Sequence, residues 1–131
     1  MEKLERMPTL TNHKGFTLIE VLIALAILAI ALTAVIEATS KNIQNTLYLQ
    51  NKTIASWVGL EIINEAKINF LTLPKAPDKL EGEKMMLNSL WSFDARIIPS
   101  PNPHIQKIDV HVYKKSDGHL FAALTGYRYV E

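Results

Sequence analysis

The one acid in a long apolar run is the first place to look for chemistry. From Phe16 to Ile36 the only charged side chain is Glu20. Burying a carboxylate in hydrocarbon costs at least a few kcal/mol, so such a group has a partner or a function. Four residues before it stands Phe16, preceded by Gly15 and Lys14 with no polar spacer. A peptidase cut after Gly15 would give Phe16 a new amino group at nearly the depth of the Glu20 carboxylate. In a packed assembly, that cation on one subunit can pair with the carboxylate of its neighbour.

Other residue types offer less. His104, Asp109, His111, Asp117 and His119 are the metal-ligand types. Asp109 and His111 share a strand face, but a hairpin over 116–118 places His111 opposite Ala123. His111 and His119 are then on the order of 13 Å apart along the ladder. Zinc ligands lie about 2 Å from one centre, so no metal site is expected. Asp94 and Asp109 are expected on outward strand faces as solvated acids. There is no Gly-x-Ser-x-Gly elbow, no His-Glu-x-x-His helix and no phosphate-binding glycine loop. The chain is not expected to be an enzyme or to carry a cofactor.

Length and charge bound the rest. Of 131 residues, about 95 remain after the leader and apolar run, enough for one modest domain. A net charge of +1 argues against nucleic acid as a partner. The absence of cysteine excludes a disulfide framework and a Cys-based metal site.

The elements that position Glu20 follow from periodicity. The run 16–36 is long enough to cross a bilayer, and lipid forces it to be helical. Lys3, Arg6 and Lys14 precede it, whereas Lys41 and Lys52 are sparse beyond it. This balance predicts a cytoplasmic N-terminus and an exported C-terminal portion. The helix is expected to continue to about Phe70 and to stop before Pro74. In its second half Ile43, Leu47, Ile54, Val58 and Ile62 recur at spacings of four or seven. Trp57 is expected to anchor the sheet together with Ile54 and Val58. Glu61 and Glu65 are assigned to the opposite face. Gly59 is tolerated at about 1 kcal/mol relative to Ala.

Residues 74–82 read as a linker. Alternation over 91–97 and over 107–112 predicts two strands, and 120–130 reads as a third. Gly126 marks a candidate bulge, and 83–87 a short edge strand. The expected fold class is α+β, a long N-terminal helix (transmembrane half plus amphipathic half) packed on a small antiparallel sheet. The expected divisions are 1–15, 16–36, 37–73 and 74–131.

Lys14-Gly15-Phe16-Thr17-Leu18-Ile19-Glu20-Val21 resembles the leader junction of type IV pilins and type II secretion pseudopilins. The resemblance implies that 1–15 is a leader, that prepilin peptidase cuts between Gly15 and Phe16, and that Phe16 is N-methylated. It implies that Glu20, the fifth mature residue, guides docking onto a growing filament. It also implies a pilin-like fold. Lys52-Thr53-Ile54-Ala55-Ser56-Trp57-Val58, with Asn64-Glu65, is similar to the I-type minor pseudopilins of type II secretion. Gly59 stands where that family tends to have Ala.

The implied function is structural: a subunit of the pseudopilus tip that primes assembly for export of folded proteins across the outer membrane. Implied partners are the J and K types of minor pseudopilin, the major pseudopilin, prepilin peptidase and the inner-membrane assembly platform. The implied location is the bacterial inner membrane, single-pass, with the C-terminal domain in the periplasm. A minor pilin of a type IV pilus or a competence pseudopilus is the nearest alternative. A signal-anchored periplasmic enzyme or binding domain is the alternative from another class.

Overall fold

The computed structural model describes residues 15–131, and the leader expected over 1–15 lies almost wholly outside them. One helix, α1 (Leu18–Lys67), is followed by strands β1 (Asp78–Met86), β2 (Ser89–Pro99), β3 (Ile105–Lys114) and β4 (Leu120–Tyr129). The chain divides between Asn42 and Ile43 into two compact units.

In the first unit α1 carries its apolar side chains exposed, from Leu18 to Ile36. It is long and apolar enough to cross a membrane. The hydroxyl of Thr33 donates to the carbonyl of Ala29, and that of Thr39 to Val35, each at 2.8 Å. Both groups are satisfied within the helix, as a lipid environment requires.

In the second unit, the rest of α1 packs on a meander with strand order β1-β2-β3-β4, all antiparallel. Alternation decides which faces meet. Trp91, Phe93, Ala95 and Ile97 of β2, with Ile108, Val110 and Val112 of β3, face the helix and are buried. The helix answers with Ile54, Ala55, Val58, Gly59, Ile62, Ile63 and Ala66. Trp91 is fully buried, and among the described residues its indole Nε1 has no hydrogen-bond partner.

Trp57 corrects an expectation. It is 50% exposed and is not part of the core. At about 100° per residue it points about 150° away from the middle of the buried stripe. The small residues Ala55, Gly59 and Ala66 bring that stripe to the sheet instead. Glu61 and Glu65 also differ from expectation. They flank the stripe and meet Lys84 on the helix-facing side of β1, at 3.0 and 2.5 Å.

The helix ends before Pro74 acts on it. Asn69 takes φ 56°. The N–H of Phe70 donates to the carbonyl of Glu65 (2.9 Å) and that of Asn69 to Ala66 (3.3 Å). This is a Schellman cap, with asparagine as the left-handed residue.

The expected linker over 74–82 is partly strand, because β1 begins at Asp78. Its helix-facing positions are Leu80, Gly82, Lys84 and Met86, too polar to show as alternation. Phe93, opposite Gly82, fills the space that the glycine leaves. A Cβ there would stand 2.7 Å from the ring. Leu87 and Asn88, both at positive φ, make the two-residue turn into β2.

The β3–β4 hairpin closes with the Lys114 N–H donating to His119 (3.0 Å) and Gly118 at φ 69°. His111 faces Ala123, and the bulge falls at Val112/Tyr113, not at Gly126. Gly126 is needed for close approach: a Cβ there would lie 2.5 Å from Ile63 Cγ2.

Candidate functional site

The start of α1 is built by its own sequence. Thr17 is the last non-helical residue, and Glu20 follows three positions later. The Thr17 N–H donates to Glu20 Oε2 at 3.0 Å, and the Glu20 N–H donates to Thr17 Oγ1 at 3.3 Å. This reciprocal pair is a capping box, and it satisfies two of the amides that a helix start leaves orphaned. A carboxylate in the first turn also meets the positive end of the helix dipole. Glu20 thus has a role within its own helix that the apolar setting alone did not suggest. The Thr-x-x-Glu spacing in the sequence was the available signal.

Only one carboxylate oxygen is used. Among the described residues, Glu20 Oε1 accepts no hydrogen bond. Gly15, Phe16 and Thr17 lie outside the helix. Phe16 is 90% exposed, and among the described residues no atom beyond its chain neighbours lies within 4 Å of a Cβ built at Gly15. The Gly15–Phe16 bond is therefore open backbone, clear of helical hydrogen bonds. Glu20 is exposed in the same segment, one helical turn further on.

Of the packing residues, Ile54 and Val58 are buried against the sheet, while Trp57 is not. The remaining polar candidates are dispersed. Among the described residues, no three histidine or acidic side chains are grouped to hold a metal. His104 stacks on Tyr129, and its Nδ1 lies 3.3 Å from the Val130 carbonyl. His119 meets the ring of Phe121 edge-on. Asp109 accepts a hydrogen bond from the Thr125 hydroxyl at 2.8 Å.

Asp94 is a correction: it is only 7% exposed, not solvated. It sits on the sheet face turned away from the helix, where His111 Nδ1 approaches its Oδ1 at 2.9 Å. Lys79 and Arg96 lie about the same carboxylate at 3.9 and 4.0 Å. These three side chains cover it. Lys79 comes from β1, His111 from β3 and Arg96 from β2 itself, so an outward position on a central strand is not an exposed one.

A family model of the prokaryotic N-terminal methylation motif matches residues 10–36. A second, for type II secretion system protein I, matches residues 49–128. The chain belongs to the type II secretion system protein I family. Among its relatives, the Escherichia coli member is 33% identical over 104 residues, covering 79% of this chain and 83% of the relative. The Pseudomonas aeruginosa member is 30% identical over 105 residues, covering 80% of each. A solved GspK-GspI-GspJ complex from enterotoxigenic Escherichia coli contains a chain with 20% identity and a TM-score of 0.48, over 63% of this chain and 98% of that one. In this family, a single long apolar helix fits a single-pass protein of the inner membrane.

Proposed function

We propose that this chain acts as a minor pseudopilin of a type II secretion system, cut between Gly15 and Phe16, methylated on Phe16 and docked through Glu20. The observation that carries the reading is the spare oxygen of Glu20. The carboxylate is held at the helix start by Thr17 through Oε2, while among the described residues Oε1 accepts no hydrogen bond, four residues beyond the proposed new amino group. An ammonium from a neighbouring subunit can dock on Oε1 without disrupting the cap. In low dielectric, an ion pair held this way is costly to leave half-made.

On this reading, 1–15 is a discarded leader and 16–36 first spans the inner membrane, then enters the filament core. The N-terminus is cytoplasmic and the domain beyond the membrane is periplasmic, as the basic residues before the helix favour. The role is structural, with no catalytic residue. The partners are the J- and K-type minor pseudopilins of the tip, then the major pseudopilin and the assembly platform.

The test is the intact mass of the mature protein purified from its native membrane. The expected mass begins at Phe16 and carries one methyl group. A mass that retains the leader, or one that begins beyond the apolar run, overturns the reading.

A further inference from the structure

The two edges of the sheet are unlike. The outer edge, β1, has five charged residues among nine: Asp78, Lys79, Glu81, Glu83 and Lys84. Charge on an edge strand is a common protection against pairing with another chain. The opposite edge, β4 (Leu120–Tyr129), has one charge, Arg128, and no proline. Arg128 is turned back into the fold, donating to Gln106 and Asn69.

The register shows which backbone groups this edge offers. The Val130 N–H donates to the His104 carbonyl, and Ile105 faces Tyr129. Antiparallel ladders alternate, so residues 122, 124, 126 and 128 bond to β3. The N–H and C=O groups of Ala123, Thr125, Tyr127 and Tyr129 therefore point to the free side. All four residues are exposed.

Beside this edge runs α1, with a groove at each end. One, of about 340 Å³, lies between Tyr48, Lys52 and Ser56 of the helix and residues 120–124. The other, of about 660 Å³, is lined by Lys67, Asn69, Tyr127 and Arg128, with Glu131 as its one acid. Lys52 and Lys67 are exposed and form no ion pair among the described residues. They are 15 positions apart, about 22 Å along a helix. In an extended chain, carboxylates six residues apart lie on one face about 20 Å from each other.

We propose that β4 is a docking edge for an extended segment of a partner polypeptide, added as a fifth strand. Its helix-facing side presents carboxylates to Lys52 and Lys67, with aliphatic residues between them. Main-chain bonds to Ala123, Thr125 and Tyr127 supply the pairing, and the two lysines select the partner by charge.

The test uses the full chain in detergent micelles and the capped peptide Asp-Thr-Val-Thr-Val-Thr-Asp. Saturable binding is expected, with at least tenfold slower amide exchange at Ala123, Thr125 and Tyr127. The peptide with lysine at both ends is expected to bind at least tenfold more weakly. The double variant Lys52→Glu and Lys67→Glu is expected to reverse that preference. N-methylation of the peptide's edge-facing amides is expected to abolish binding without any change to the protein. The proposal is overturned by no binding, by equal binding of the acidic and basic peptides, or by binding that leaves the three amides exchanging as before.

Discussion

At the residue scale, the carboxylates are defined by their partners more than by their exposure. Glu20 caps its own helix through Thr17, and the docking role proposed for it falls to the other carboxylate oxygen. Glu20→Gln keeps the shape and an acceptor for Thr17 but removes the charge. It is expected to leave the sheet domain folded and to reduce secretion sharply, and a secretion assay beside an unchanged unfolding midpoint checks both. Normal secretion by this variant would overturn the docking role. Asp94 shows the converse case, a buried acid serving structure. His111→Ala removes its one close partner and leaves two cations at about 4 Å. The expected loss is about 1–3 kcal/mol, measured by denaturant unfolding at neutral pH.

At the element scale, glycines decide how closely the helix and sheet approach, and the two contact glycines differ. A Cβ at Gly126 meets Ile63 at Cγ2, Cγ1 and Cδ1 (2.5–3.3 Å), a buried β-branched side chain with nowhere to turn. Gly126→Ala is therefore expected to destabilise by about 1–3 kcal/mol. A Cβ at Gly59 meets only the tip of the half-buried Leu124 closely, at 2.4 Å, with its next neighbours at 3.5 Å. Turning Leu124 costs about 0.5–1.5 kcal/mol, and helix propensity returns about 1 kcal/mol. Gly59→Ala is expected near neutral. Unfolding midpoints of the two variants, measured side by side, decide the point. A larger loss for Gly59→Ala would refute this account of the contact.

At the scale of the whole molecule, Lys84 ties the edge strand to the helix. Partial burial pulls its pKa down, but hydrogen bonds and charge from Glu65 and Glu61 outweigh this, and the net shift is upward from 10.5. The folded chain holds that proton more tightly than the unfolded chain. The stabilisation is complete below the ordinary lysine value of about 10.4. It is lost as pH rises through the higher folded value. Lys84→Met is expected to cost about 1 kcal/mol at pH 7 and to flatten the fall in stability above pH 10. A pH series of unfolding midpoints for both proteins tests this, and parallel curves would rule it out.

The sequence by itself determined the parts that depend on local pattern. An apolar run of bilayer length specifies a helix, because no other structure satisfies its backbone in lipid. Alternation over 91–97 and 107–112 specifies two strands and their buried faces, and 120–130 reads as a third strand. The Gly15, Phe16 and Glu20 spacing is a local signal, and so is the Thr17–Glu20 cap, readable from four residues. Tertiary structure decided what no window contains. It turned Trp57 outward, since the small residues Ala55, Gly59 and Ala66 allow a closer approach to the sheet than an indole does. It made β1 a full strand from a polar segment, because pairing with β2 supplies the backbone bonds that its composition does not advertise. It also buried Asp94 beneath side chains from three strands. Each of these depends on a neighbour distant in sequence, and burial is a property of the pair.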